Sequence, residues 1–205
     1  MIIGISGKKQ TGKNTIGKII QAIQMWYSIN PEKNIEEFCI QCLDQNLDTN
    51  RFSKFKCVSF ADTLKKMASI LTGFPDVSMW ESAKVKDLYN PTFGVTNREI
   101  LQILGQSLRD NLSPDVWVNA LFVVYSSNEN WIVTDVRMPN EAKAIKDRGG
   151  IIIRVNRNTE YNDNHISETA LDNYKDFDFV IDNNEGLEKL VKKVLCIWKS
   201  ITEKV

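Results

Sequence analysis

The sequence predicts an α/β fold, a parallel sheet of five strands flanked by helices. Three observations predict it. Short apolar runs alternate with segments of helical period, and the first run leads directly into a glycine-rich loop and a helix. Charged or polar residues, among them Ser6, Asp135 and Arg137, then fall at the carboxyl ends of those runs, where open parallel sheets hold their ligands.

Met1 to Ser6 is an apolar run suited to a buried parallel strand, and residues 12–27 read as a helix that stops ahead of Asn30-Pro31. Between them, residues 4–15 read Gly-Ile-Ser-Gly-Lys-Lys-Gln-Thr-Gly-Lys-Asn-Thr, a phosphate-binding loop in its strand-to-helix setting. Gly7 and Gly12 let backbone N–H groups converge on phosphate oxygens at the positive end of a helix. Lys13 adds a charge for the β and γ phosphates. The hydroxyl that usually follows this lysine, a magnesium ligand, is replaced by Asn14, and the next hydroxyl is Thr15.

Residues 32–54 are polar, with a helix expected near 35–43, and read as a surface insertion. A strand is expected at 57–60 and a helix at 62–71, with Asp62 as its cap. Pro75, Pro91 and Gly94 make 74–97 an irregular stretch with one helical turn near 82–88. Helices follow at 97–111 and 113–127, the second with Ser113 as cap and Pro114 in its first position. A strand at 131–134 ends at Asp135, a helix at 139–148 is stopped by Gly149-Gly150, and a buried strand follows at 151–155. The last elements are a strand at 179–181 and a helix at 186–199.

The chain of 205 residues is long enough for one such domain. It carries 26 basic and 26 acidic residues, so a broad cationic face for nucleic acid is not expected, whereas a local cationic pocket for a small phosphorylated ligand is. No apolar stretch approaches the roughly 20 residues of a membrane span, and the expectation is a soluble, cytoplasmic protein. Cys39, Cys42, Cys57 and Cys196 read as reduced thiols; one close pair and a single histidine make no zinc site.

Asp135 and Arg137 put an acid and a cation at the sheet edge beside the loop, where they suit a metal-bound phosphate and its charge in transfer, or simply cap the next helix. Glu141, four residues on, orients Arg137 or faces solvent. Arg98, Gln102, Gly105 and Arg109 recur at helical spacing, a pattern that most often marks a solvated face, and Trp117 alone reads as a core aromatic. His165, Ser167 and Glu168 match a hydrolase triad in type but crowd onto one polar loop, without the rigid turn a nucleophile needs.

Four blocks together resemble the deoxynucleoside monophosphate kinases of phages and large DNA viruses, in the P-loop nucleotide kinase superfamily. They are residues 7–15, Arg98 through Gly105 with Trp117-Val118, Thr-Asp-Val-Arg-Met-Pro-Asn-Glu at 134–141, and His-Ile-Ser-Glu at 165–168. Lys86-Asp-Leu-Tyr-Asn-Pro ahead of Gly94 adds to them, and the likeness runs over about residues 1–190 without 32–54. The resemblance implies a P-loop nucleoside monophosphate kinase-like fold and transfer of the ATP γ-phosphoryl to a deoxynucleoside monophosphate (dNMP), with Mg2+. It places Gly7, Gly12, Lys13, Asn14 and Thr15 on the ATP phosphates and Lys9 on the phosphate in transfer or its acceptor. Lys65, Lys86, Arg98, Gly105, Gln106, Trp117, Asp135, Arg137 and Glu141 would line the monophosphate pocket, and Thr15 and Asp135 would serve the metal. Residues 154–168 would form a lid over ATP, with Arg154 and Arg157 on its phosphates. Relatives commonly carry aspartate at the position of Asn14. The expected partners are ATP and a dNMP, with neither nucleic acid nor membrane, and a homodimer is compatible with this reading.

Two alternatives remain open from sequence. Residues 171–180, Leu-Asp-Asn-Tyr-Lys-Asp-Phe-Asp-Phe-Val, also resemble phosphomevalonate kinase of the animal type, although the Arg98 helix, Trp117 and the 134–141 block favour the nucleotide enzyme. The other is a noncatalytic nucleotide-binding protein that keeps the loop alone.

Overall fold

Ile2, Ile3 and Ile5 are almost wholly shielded from solvent, because the first strand, β1 (Ile2–Ser6), is hydrogen-bonded on both sides and covered on both faces. In the computed structural model, which describes residues 1–74, 77–158 and 166–203, β1 is the middle of a five-stranded parallel sheet. The other strands are β2 (Phe55–Val58), β5 (Asn130–Val136), β6 (Ile151–Asn156) and β7 (Phe179–Asp182), in the order β2-β5-β1-β6-β7. Ile2 pairs with Trp131 on one side and Ile3 with Ile151 on the other. Strands buried on both faces are near-continuous aliphatic runs rather than alternating ones, which is how Ile2-Ile3 and Ile151-Ile152-Ile153 read.

The chain divides into two compact units, Met1–Val58 with Ser126–Val205 and Ser59–Tyr125. In the first, α1 (Lys13–Ile29) and α10 (Leu187–Thr202) pack together and bury Ile16, Ile19, Ile23, Val191, Val194 and Trp198 with the sheet residues Ile3, Ile132 and Ile153. Helix α8 (Pro139–Lys146) packs on β1 and β6 through Ala142 and Ile145. Residues 32–54 are more than surface decoration. Helix α2 (Ile35–Asp44) sends Cys39 and Cys42 into the same core, and Thr49 of α3 (Thr49–Phe52) donates to the Gln21 side chain at 2.7 Å. Gln21 in turn donates to the Phe55 carbonyl at 2.8 Å, so this buried amide ties α1 to β2. Burial pushes the thiols of Cys39 and Cys57 up to about 12, where they act as small apolar groups.

The second unit contains α4 (Asp62–Thr72), a 3-10 segment at Val77–Glu81, α5 (Ala83–Lys86), a hairpin of β3 (Tyr89–Asn90) and β4 (Val95–Thr96), α6 (Asn97–Asn111) and α7 (Val116–Phe122). The stretch expected to be irregular thus holds a hairpin and a 3-10 segment as well as the helical turn. Gly94, at φ +70°, closes the hairpin by donating its N–H to the Asn90 carbonyl at 2.9 Å. Helix α6 starts at a reciprocal cap: the Thr96 N–H donates to Glu99 at 2.7 Å and the Glu99 N–H to the Thr96 hydroxyl at 3.2 Å. The next helix begins later than Ser113-Pro114 suggests, because the Ser113 hydroxyl accepts from the Asp115 N–H and closes a turn instead. Strand β2 is also shifted, starting at Phe55 and ending at Val58, since the Ser59 N–H turns to the Asp62 carboxylate at 2.8 Å. Among the described residues no helix is long and apolar enough to cross a membrane.

Gly150 sits where the chain turns from α8 into β6, and a Cβ there would lie 2.9 Å from two backbone oxygens, those of Ile145 and Ile2. Backbone cannot yield as a side-chain tip can. Gly150→Ala is expected to destabilise the protein by about 1–3 kcal/mol, seen as a lower urea midpoint at unchanged slope.

Candidate active site at the phosphate loop

The loop leaves β1 at Ser6 and enters α1 at Lys13, and two of its glycines are required by close approach. A Cβ at Gly7 would lie 2.6 Å from the Val155 carbonyl oxygen, and one at Gly12, where φ is +100°, 2.6 Å from the Asn183 amide. That amide donates to the Thr11 carbonyl at 2.9 Å, while the Thr11 hydroxyl donates to the Lys8 carbonyl at 2.8 Å. The curvature is therefore held from inside by Thr11 and from β7's end by Asn183, a residue not anticipated from sequence.

Lys13 folds back on the loop, its ammonium donating to the carbonyls of Gly7 at 2.8 Å and Lys8 at 2.7 Å. Burial first and then repulsion from Arg137 pull its pKa down to about 8, with Arg154 adding to the fall and Glu168 and Asp135 opposing it. Lys13, Arg137, Arg154, Asp135 and Glu168 thus share one electrostatic site at the carboxyl edge of the sheet.

Arg137 follows β5. Its backbone N–H and that of Met138 both donate to the buried Glu141 carboxylate, at 2.8 and 3.0 Å, so Glu141 fixes the main chain from which the guanidinium projects. Pro139 in the first position of α8 sets the helix start. The Arg137 guanidinium forms an ion pair with Glu168 of α9 (Ile166–Thr169). Burial opposes its charge, but Glu168, Asp135 and Glu141 outweigh burial and hold its pKa above the ordinary value. Arg154, expected in a lid, lies instead on β6. There it donates to the Ser6 hydroxyl and the Asp172 carboxylate, both at 3.2 Å, and rests on the Phe177 ring. Asp172 also pairs with Lys8 at 3.1 Å. Arg157 is exposed just beyond β6, and residues 159–165, His165 among them, lie outside the described residues.

A family model described as deoxynucleotide monophosphate kinase matches residues 60–194. The chain belongs to that family. It is 29% identical over 153 residues to the "Putative deoxynucleotide monophosphate kinase" of Acanthamoeba polyphaga mimivirus, covering 67% of this chain and 79% of that protein. It is 32% identical over 112 residues to the deoxynucleotide monophosphate kinase of Escherichia phage RB69, covering 51% of this chain and 45% of the phage protein. The family model begins beyond the phosphate loop, so in this deoxynucleotide monophosphate kinase family member the loop chemistry and the family match are separate observations.

Lys65, Lys86, Arg98, Gly105, Gln106 and Trp117 belong to the second unit. Arg98 pairs with Asp87 through two nitrogens, at 2.9 and 2.6 Å. Lys65 is nearly buried, 3.6 Å from Asp62, and Gln106 donates to Asp110 at 2.8 Å. Lys86 ends α5. Trp117 is buried and donates its indole N–H to the Gly105 carbonyl at 3.1 Å, and a Cβ at Gly105 would press on Leu64 at 3.2 Å. The indole therefore acts as a strut of α6 within this unit. In the first unit Asn14 is exposed on α1 and Thr15 half-buried behind it. Among the described residues no group of three or more His, Cys, Asp and Glu side chains forms a metal cluster.

The depressed Lys13 pKa has a testable consequence. Because the folded value of about 8 lies below the ordinary 10.5, the unfolded chain holds a proton between those pH values that the folded chain lacks. Stability attributable to Lys13 therefore rises as pH rises through that window. Phosphate bound at the loop would restore the charge. Tripolyphosphate binding near pH 8.5 is expected to take up a proton, measured by calorimetry in buffers of different ionisation enthalpy, and Lys13→Met is expected to abolish the uptake.

Proposed function

We propose that this family member transfers the γ-phosphoryl group of ATP to a deoxynucleoside 5′-monophosphate, giving ADP and the deoxynucleoside diphosphate and so supplying DNA precursors in the cytoplasm. The observation that carries the reading is the convergence of Lys13, Arg137 and Arg154 on one glycine loop in a chain of this family. In the reaction an oxygen of the acceptor phosphate attacks the γ phosphorus in line, the bond to the β–γ bridging oxygen breaks, and ADP leaves with the electron pair. Both reactants are anions, so the dominant barrier is electrostatic and is lowered by fixed cations and orientation rather than by a nucleophilic side chain.

Backbone N–H groups of the loop and the start of α1, with Gly7, Gly12 and Asn14, would hold the ATP phosphates. Lys13 would serve the β and γ oxygens, and Arg137 and Lys9 the group in transfer. Arg154 and Arg157 are further candidates for ATP. Thr15 on the first turn of α1 and Asp135 near the end of β5 are oxygen donors that suit Mg2+, a cation that takes one or two protein oxygens and completes its shell with phosphate and water. Held there, Mg2+ would supply positive charge against the ATP phosphates. Lys65, Lys86, Arg98 and Gln106 are proposed to hold the monophosphate. Gly105 and Trp117 shape α6 for that role, and Glu141 positions Arg137.

Family membership favours a nucleotide acceptor over phosphomevalonate. A coupled ADP-release assay over all deoxy and ribo monophosphates, with phosphomevalonate as an added arm, is expected to show turnover with at least one deoxynucleotide. Turnover with phosphomevalonate alone, or with nothing, contradicts the assignment. Lys13→Ala and Arg137→Ala are each expected to lower kcat/KM by at least about 100-fold in protein that retains its far-UV circular dichroism; a well-folded variant with undiminished turnover contradicts the role given to that residue.

A further inference from the structure

Glu168 is a nearly buried carboxylate at the loop, with 7% of its side chain exposed. One oxygen accepts the backbone N–H of Lys9 at 2.8 Å, and the other accepts the Arg137 guanidinium. A loop N–H and a guanidinium are the donors that phosphate oxygens use. Four residues on, Asp172 repeats the pattern with side chains alone, joining Lys8 at 3.1 Å to Arg154 at 3.2 Å. The segment from α9 to Asp172 thus lays two carboxylates on cations and an N–H group of the phosphate site.

We propose that Glu168 is an internal ligand of the phosphate site, its carboxylate and a nucleotide phosphate taking the same donors and therefore binding in mutual exclusion. The proposal rests on the loop being the phosphate site, which the functional reading shares, and is independent of the acceptor. The Lys9 N–H has one hydrogen, already given to Glu168, so a phosphate cannot take it while the carboxylate stays in place. A phosphate arriving at the Lys9 N–H must displace Glu168, and Arg137 is then handed from a carboxylate to the phosphate without passing through an unpaired state. Glu168 partners the Arg137 guanidinium until phosphate binds, at the expense of phosphate affinity. A ligand with several phosphate charges overcomes this competition better than a single phosphate ion, so Glu168 sets a threshold that favours polyphosphates.

The test is binding of inorganic tripolyphosphate, followed by calorimetry at neutral pH for wild type and Glu168→Gln. Glutamine keeps the shape and removes the charge. It is expected to bind tripolyphosphate at least 10-fold more tightly, with a smaller gain for a single phosphate ion; equal or weaker affinity overturns the proposal and makes Glu168 a fixed support of Arg137. Hydrogen exchange on the wild type gives a second readout that needs no variant. Backbone amides of residues 166–172 are expected to exchange faster with tripolyphosphate bound, and unchanged or slower exchange overturns the proposal. A wild type that shows this response yet phosphorylates no deoxynucleotide supports the inference and sinks the acceptor assignment, whereas absence of tripolyphosphate binding in both proteins overturns both.

Discussion

Lys13, Arg137 and Arg154 bring like charges into one place, and the groups around them exist to make that tolerable. The repulsion is visible in Lys13, whose pKa is drawn down to about 8 by burial and by its cationic neighbours. Glu168 and Asp135 beside Arg137, and Asp172 beside Arg154, offset that repulsion. Phosphate groups suit such cations better than carboxylates do, since they carry more charge and more acceptor oxygens. The same cations would, in the proposed reaction, let two phosphates approach each other.

The fold supplies the rigidity this needs. The parallel sheet positions most of the site: the loop follows β1, Asp135 and Arg137 lie at and just past the end of β5, Arg154 stands on β6, and Asn183 follows β7. Main-chain position at these points is fixed by the strand ladder and then refined locally. Glu141 takes two successive N–H groups beside Arg137, and Asn183 takes the carbonyl ahead of Gly12. Preorganisation of this kind is the main resource of phosphoryl-transfer catalysis, where little covalent chemistry falls to the protein.

The sheet and the loop were legible in the sequence because they depend on local signals: aliphatic runs, two glycines at the required spacing, and a lysine that starts a helix. Helix α6 was legible to the residue, since Thr96 and Glu99 form its cap and its apolar period is regular. What depended on distant contacts was not. Residues 32–54 looked like a polar insertion, yet Cys39 and Cys42 are core groups, and the burial of a small thiol leaves no period to read. The resemblance placed Arg154 in a lid, but its place on β6 is set by pairing with β1 and by Asp172. Glu168 could be noticed by type alone; its partners, Lys9 and Arg137, are 159 and 31 residues away in the chain. The indole of Trp117 offered both a core role and a ligand role, and its bond to Gly105 shows the first.

In the proposed reaction the cation cluster moves a phosphoryl group between two phosphates rather than releasing it to water. Phosphorus NMR of wild-type protein incubated with ATP, Mg2+ and a mixture of deoxynucleoside monophosphates follows that group directly. The γ signal of ATP is expected to be lost in step with the appearance of a new nucleoside diphosphate, with little inorganic phosphate. Inorganic phosphate as the sole product, or an ATP spectrum that never changes, would contradict it.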